Sequence, residues 1–179
     1  LGEEHLALVK GPVSQLKQAG TLVRVHSECF TGDVLGSLRC DCGSQLQQAM
    51  NAIEAAGSGI VIYMRQEGRG IGLFNKIKAY QLQDQGLDTV EANIRLGFPA
   101  DSRDYTMANQ ILDHFGICDL QLLTNNPDKL QAMRALGQRR ISRKPLSIPA
   151  NGVNHHYLLT KNRKFGHSID VLPPIESMS

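Results

Sequence analysis

Tryptophan is absent from this 179-residue chain and aromatic residues make up only 5% of it, too few for a surface that stacks unpaired bases along a strand. Charge of one sign is also scarce. The formal net charge is +2 and the pI near 8.4, without the strongly basic balance of a nucleic-acid binder. No nucleic-acid partner is expected, whereas a small anionic ligand is compatible. No apolar run approaches the ~18 residues of a membrane span, and the first residues lack the charged and apolar regions of a signal peptide. The expectation is a soluble, cytoplasmic chain with no membrane partner. Cysteine is scarce too, at four residues, yet Cys29, Cys40 and Cys42 fall within fourteen positions of one another.

That clustering has the spacing of a thiolate metal site. Zinc bonds to sulfur of about 2.3 Å in tetrahedral geometry set sulfurs roughly 3.8 Å apart, which a Cys-x-Cys turn and one nearby cysteine can satisfy. A disulfide framework fits poorly, because Cys40 and Cys42 are too close in sequence for an unstrained bridge. Two zinc readings stay open on spacing alone. Three cysteines would leave a position for water, as in a catalytic site, whereas His26, three residues before Cys29, would close a structural one. Three thiolates around a dication carry one net negative charge, so a neighbouring cation, or hydrogen bonds from the first turn of the following helix, would be needed to lower the pKa of a bound water. Cys118, far along the chain, reads as a core residue.

With 41% hydrophobic and 20% charged residues, the chain is long enough for one well-buried domain and short for two. Short apolar runs alternate with amphipathic segments that end at glycine, the pattern of an α/β domain. Residues 21–26 alternate and predict a half-buried strand with Arg24 and His26 on its polar face. Ser44 to Gln47 has a capping-box pattern and predicts a helix running to Gly57, with Leu46, Ala49, Met50 and Ile53 inward. Residues 59–64 predict a buried strand, and 73–85 a helix with Leu73, Ile77 and Tyr80 on one stripe. A helix closed by Gly116, with Asp104 as its N-cap, a strand over 119–124 and a helix ending at Gly137 follow. The basic residues Arg134, Arg139, Arg140, Arg143 and Lys144 read as an exposed face. From 171 to 179 a loose tail is expected. The chain opens at Leu1, close to an alternating apolar run, which leads us to expect that an N-terminal piece is missing.

Between the second strand and the following helix lies Gly68-Arg-Gly-Ile-Gly72. It follows a strand and opens a helix, the context of an anion-binding turn, and Arg69 pairs well with phosphate. Its spacing matches neither the dinucleotide fingerprint nor a P-loop.

The words Arg24-Val-His-Ser-Glu-Cys29, Thr31-Gly-Asp33, Ser37-Leu-Arg-Cys-Asp-Cys-Gly43 and Arg65-Gln-Glu-Gly-Arg69 together closely resemble GTP cyclohydrolase II. The likeness continues through Asn75-Lys-Ile, Leu82-Gln-Asp-Gln-Gly86, Asp88-Thr-Val-Glu-Ala-Asn93, Asp101-Ser-Arg-Asp104 and Leu123-Thr-Asn-Asn-Pro127 to Lys164-Phe-Gly-His167. The resemblance implies a single α/β catalytic domain over 1–170, a mixed β-sheet flanked by helices. The implied reaction opens the guanine imidazole ring of GTP and releases formate and pyrophosphate. Its product, 2,5-diamino-6-ribosylamino-4(3H)-pyrimidinone 5′-phosphate, begins riboflavin biosynthesis.

Carried over by position, Cys29, Cys40 and Cys42 would hold one zinc per chain, which moves His26 to the substrate side. Asp101 and Arg103 match a proton acceptor and a nucleophile toward the α-phosphate. A guanidinium is a poor nucleophile, and charge stabilisation at phosphorus would serve the same position. Tyr80 matches a tyrosine near the zinc water. Arg24, Val25, His26, Ser27, Glu28, Gln45, Glu67, Gly68, Arg69, Thr89, Thr124 and Lys129 match GTP-contacting positions. Magnesium on the triphosphate and a homodimer are implied as well. Family members carry further sequence before the point where this chain begins, and some are fused behind dihydroxybutanone phosphate synthase.

Overall fold

A computed structural model describes residues 3–146, so the expected domain end at 170, the tail and the Lys164 to His167 motif lie outside the described residues. Five strands form one sheet: β1 (Leu6–Lys10), β2 (Thr21–Ser27), β3 (Gly59–Met64), β4 (Asp119–Leu123) and β5 (Arg140–Lys144). Their spatial order is β1-β3-β2-β4-β5. β1 runs antiparallel to β3 and every other pairing is parallel, so the α/β domain with a mixed sheet is what the chain folds into. Among the described residues no helix is long and apolar enough to cross a membrane.

Helices cover both faces. α1 (Phe30–Asp33) and α2 (Cys42–Ala56) connect β2 to β3. On the face of α2, Ala49 and Ile53 pack with Leu22, Val61 and Leu123. α3 (Gly72–Asp84), α4 (Thr89–Arg95) and α5 (Thr106–His114) lead from β3 to β4, and α6 (Pro127–Ala135) leads to β5. The larger core lies on the other face, where Ala108, Leu112 and Met133 meet Val23, Val25, Ile60, Ile62, Leu120 and Leu122. The two-residue strand period sends odd positions of β2 into this core and even positions toward α2.

Several expectations change. β2 is buried on both faces rather than one, with Arg24 and His26 at 4% and 1% exposure, because it is the middle strand of a covered parallel stretch. α2 starts at Cys42, two residues before the expected Ser44 cap, and its N-cap Asp41 makes no side-chain capping bond. Of the stripe expected on α3, Leu73 and Ile77 are exposed and only Tyr80 turns toward the interior, while Lys76 and Ala79 are buried. Cys118 is exposed rather than a core residue. The basic run at 139–144 includes β5, whose Ile141 alone is buried. α4 was not expected at all. It begins with a full capping box, Asp88 accepting from Val90 and Glu91 amides and Glu91 accepting from the Asp88 amide.

The topology fixes where a ligand can sit. From β2 the chain crosses to β3 on one side, and from β3 it crosses to β4 on the other side of β2. Connections leaving in opposite directions open a crevice at the carboxyl ends of the strands. The residues that follow β2, β3 and β4 are Glu28-Cys29, Arg65 to Arg69 and Thr124 to Asn126.

Candidate active site and metal centre

A cleft of about 1050 Å³, counting the solvent in its mouth, opens at that crevice. Ser27, Glu28 and Cys29 line it from the end of β2; Glu67, Gly68 and Arg69 from beyond β3; Thr124, Asn125, Asn126 and Lys129 from beyond β4. Cys40, Cys42 and Gln45 enter from α2 and the turn before it, Tyr80 from α3, Thr89 from α4 and Arg103 from the loop before α5. The expected residues therefore converge, with two exceptions. Val25 turns its side chain into the larger core and offers its carbonyl to Lys129 Nζ at 2.9 Å. Asp101 stands behind Arg103 rather than on the wall.

The three sulfurs come together, with ligand atoms of Cys29, Cys40 and Cys42 within 4.8 Å of one another and Cys29 Sγ 3.6 Å from Cys40 Sγ. That is close to the roughly 3.8 Å a tetrahedral zinc requires. Gly32 forms the floor: a Cβ there would lie 2.9 Å from Cys40 Sγ and 3.2 Å from Cys29 Sγ. Hydrogen bonding from Cys40 and Cys42, reinforced by the Lys76 ammonium, pulls the Cys29 thiol far below its ordinary range. Cys29 in turn pushes Cys40 up to about 11. A dication held by Cys29, Cys40 and Cys42 would remove this conflict by stabilising all three thiolates together, and soft sulfur donors suit zinc.

His26 is not a fourth ligand in this arrangement. Its Nε2 sits 3.0 Å from Asp33 Oδ2, and its Nδ1 lies 3.4 Å from Arg24 Nη2. The donor partner at Nδ1 puts the ring proton on Nε2, facing the carboxylate. Burial then lowers the pKa of His26, the Asp33 contact opposing it in part. Asp33 gathers more: Tyr63 Oη and the Cys29 amide both donate to its Oδ2, at 2.9 and 3.0 Å. It thereby ties the polar face of β2 to the backbone of the first cysteine.

Arg24 is another buried polar residue of the strand. Nη1 donates to the Leu123 carbonyl at 2.8 Å and Nη2 to Gln45 Oε1 at 2.6 Å, while Nε has no partner among the described residues. Burial lowers its pKa to about 10, which leaves it charged at neutral pH. Arg103 and Asp101 form a forked pair, Nε 2.9 Å from Oδ1 and Nη2 closing on Oδ2. Burial works against the Asp101 charge, but Arg103 outweighs it and holds the carboxyl below its usual range. Arg103 and Lys129 lie 6.0 and 5.7 Å from the centroid of the same Tyr105 ring. The side chain of Asn126 accepts from the Asp128 and Lys129 amides, and Pro127 follows it, which sets an ordered helix N-terminus beside them.

The glycine-rich segment forms a tight turn over Glu67–Gly70 in which Gly68 and Arg69 have φ of 61° and 62°. A left-handed arginine is uncommon and marks a backbone held by its surroundings. The Arg69 carbonyl accepts from the Ser102 amide at 3.0 Å, which fastens the turn to the Asp101–Arg103 loop. Tyr80 carries Arg39 over its ring at 4.5 Å, with Lys76 at 5.7 Å. Burial raises the phenol's pKa, so it stays protonated at neutral pH.

Residues not singled out beforehand also build the site. Asn93, Asn125, Asn126 and Gln83 line the cleft, and Asp33 and Lys76 organise it from below. Each lies in or beside a quoted motif, but an interior lysine or aspartate acquires meaning only from partners distant in sequence. Lys76 Nζ, for example, meets Cys29 Sγ at 3.0 Å and Glu67 Oε1 at 2.8 Å.

The family model for GTP cyclohydrolase II matches residues 1–143. Among curated relatives, the riboflavin biosynthesis protein RibBA of Synechocystis sp. is 57% identical over 164 residues, covering 92% of this chain and 30% of that protein. RibBA of Bacillus cereus is 55% identical over 169 residues, covering 94% and 42%. RibBA of Bacillus cytotoxicus is 54% identical over the same length. The chain spans less than half the length of these relatives. A match through most of the chain, running from the strand before the cysteines to β5, makes this protein a member of the GTP cyclohydrolase II family.

Proposed function

We propose that the chain hydrolyses GTP, opening the guanine imidazole ring and releasing formate and pyrophosphate to give 2,5-diamino-6-ribosylamino-4(3H)-pyrimidinone 5′-phosphate. One observation carries this reading: a three-sulfur donor set opens into the same cleft as Arg24, Arg103 and Lys129. A soft-metal centre beside several fixed cations suits a polyphosphate with a hydrolysable ring, and the riboflavin-biosynthesis relatives agree with it.

Cys29, Cys40 and Cys42 would hold one zinc, which when bound would supply Lewis-acid activation of the hydrolytic water. Arg24, buried and with Nε unpaired toward the described protein, offers a donor to the nucleotide. Arg103, Lys129 and the α6 N-terminus form the triphosphate end, with magnesium on the substrate to complete charge neutralisation. Arg103 stabilises charge at the α-phosphorus, and Asp101 aims its fork. A role for Asp101 as proton acceptor would first require that pair to open. Tyr80 has the protonated phenol needed to orient or protonate the leaving nitrogen. His26, Ser27, Glu28, Gln45, Thr89 and Thr124 complete the walls, and the working protein is a cytoplasmic homodimer. Incubating zinc-loaded protein with GTP and Mg²⁺ tests the reading: formate and pyrophosphate should appear together. Nucleotide binding without either product, at one zinc per chain, would make it a binding module instead.

A further inference from the structure

Lys76 stands on the inward face of α3, only 8% exposed, and its ammonium has three acceptors. It donates to Cys29 Sγ at 3.0 Å, Thr31 Oγ1 at 2.9 Å and Glu67 Oε1 at 2.8 Å. Glu67 is equally committed. Oε1 also accepts the Gly68 amide at 2.8 Å, and Oε2 accepts the Phe30 amide at 2.6 Å. Phe30 is the residue after Cys29, so the carboxylate grips the backbone of the first cysteine while the lysine grips its sulfur.

We propose that Lys76 and Glu67 form a clasp that positions Cys29 for metal binding, making Glu67 a support of the metal centre rather than primarily a nucleotide contact. The proposal rests on reading the cysteines as metal ligands, but not on the GTP chemistry. The electrostatics follow from the donor set. Three thiolates and a dication carry one surplus negative charge in a partly buried site, and a fixed ammonium against one sulfur offsets it. Lysine alone would be an uncompensated buried cation, and Glu67 balances it. A single nitrogen donating to three acceptors within 3.0 Å needs the tetrahedral ammonium, which a planar guanidinium does not reproduce. Because Glu67 opens the turn that carries Gly68 and Arg69 at positive φ, the clasp also ties the metal centre to the anion-binding turn.

The test is a double-mutant cycle on zinc affinity, read by chelator competition without nucleotide, using wild type, Lys76→Met, Glu67→Gln and the double variant. Supporting groups around metal ligands are typically worth about 10- to 100-fold in affinity, and Lys76→Met should weaken zinc by that order. Glu67→Gln should weaken zinc in the Lys76 background and weaken it clearly less once Lys76 is gone, the part that remains coming from the Phe30 amide contact. Cobalt-loaded Lys76→Met should also show a shifted thiolate charge-transfer band. Should Lys76→Met not fold, Lys76→Gln replaces it, one atom shorter but polar and without the charge. Wild-type zinc affinity in the folded lysine variant overturns the proposal, as does an undiminished Glu67→Gln effect in its absence. Wild-type protein that takes up no zinc overturns both the clasp and the metal reading. Protein that binds zinc without turning over GTP sinks only the proposed reaction, and the cycle still decides the clasp.

Discussion

Replacing Gly32 by alanine tests the metal centre through a single methyl group. The added Cβ would fall 2.9 Å from Cys40 Sγ, 3.2 Å from Cys29 Sγ and 3.3 Å from Cys42 Cβ, so all three cysteines meet it. Comfortable non-bonded separations are about 3.5–4.0 Å, and relief requires a displacement of roughly 0.6 Å or more at Cys40. Metal–ligand distances tolerate only about 0.2 Å. The backbone has little freedom to yield, because the Gly32 carbonyl already lies against α2: a Cβ on Gly43 would sit 2.3 Å from it. Overpacking of this kind costs about 1–3 kcal/mol, which at about 1.4 kcal/mol per tenfold is roughly 5- to 150-fold in affinity. Gly32→Ala should therefore bind zinc at least several-fold more weakly by chelator competition, while far-ultraviolet circular dichroism stays that of wild type. Zinc affinity unchanged in a folded variant would refute the reasoning, because the three sulfurs would then not be packed as described.

Cys40→Ser should lose zinc and activity together, whereas His26→Ala should keep zinc at one per chain by mass spectrometry; zinc loss there would restore the imidazole as a ligand. Arg103→Ala should lower kcat by about 10²–10³ and Arg103→Lys by clearly less, if charge at phosphorus is the role. Equal losses in the two variants would show that the guanidinium fork itself is needed. His26 predicts a pH dependence of stability. Burial lowers its folded pKa from the ordinary 6.5, so below pH 6.5 the unfolded chain takes up a proton that the folded one refuses, and stability falls as pH falls. The melting temperature of zinc-loaded wild type should drop more steeply from pH 7 to 5.5 than that of His26→Gln. Parallel curves would mean that His26 is not held neutral.

The parts of the fold that were legible share one property: their buried faces are apolar. β3, β4 and the apolar faces of α2 and α5 announce themselves because Ile, Val, Leu and Ala recur at the period of the element. β5 does not, since only Ile141 of its five residues is buried and four polar neighbours read as a solvated run. α3 misled because its inward residue is Lys76, whose burial is supported by Cys29 and Glu67, 47 and 9 positions away. α4 was missed although Asp88 and Glu91 spell its capping box. Its seven residues bury only Ala92 and Asn93, too little for periodicity. At the site, the cysteines were legible from spacing because metal geometry constrains short-range sequence. Lys76 and Asp33 were not, because what they do is decided by contacts across elements.

The polarity of β2 has a structural explanation. A central parallel strand is ordinarily apolar throughout, yet here the even positions run Leu22, Arg24, His26 toward the carboxyl end. Burying such groups is costly unless each is paired, and the pairing is nearly complete through Leu123, Gln45 and Asp33. The remaining Arg24 Nε has no partner among the described residues, and the residue is on the cleft wall. The odd face can carry the folding load alone, since Val23 and Val25 are fully buried in the larger core. Division of one strand into a stabilising face and a polar face follows from its position. β2 lies between both crossovers, so its carboxyl end is where the crevice opens. Replacing Arg24 by a flexible apolar residue should therefore trade the two roles, relieving an unpaired buried donor while removing a cation from the cleft. Arg24→Met is expected to leave the melting temperature near or above that of wild type and to weaken GTP binding measured by calorimetry. A variant that unfolds while its nucleotide affinity is retained would show that the strand's polar face serves the fold after all.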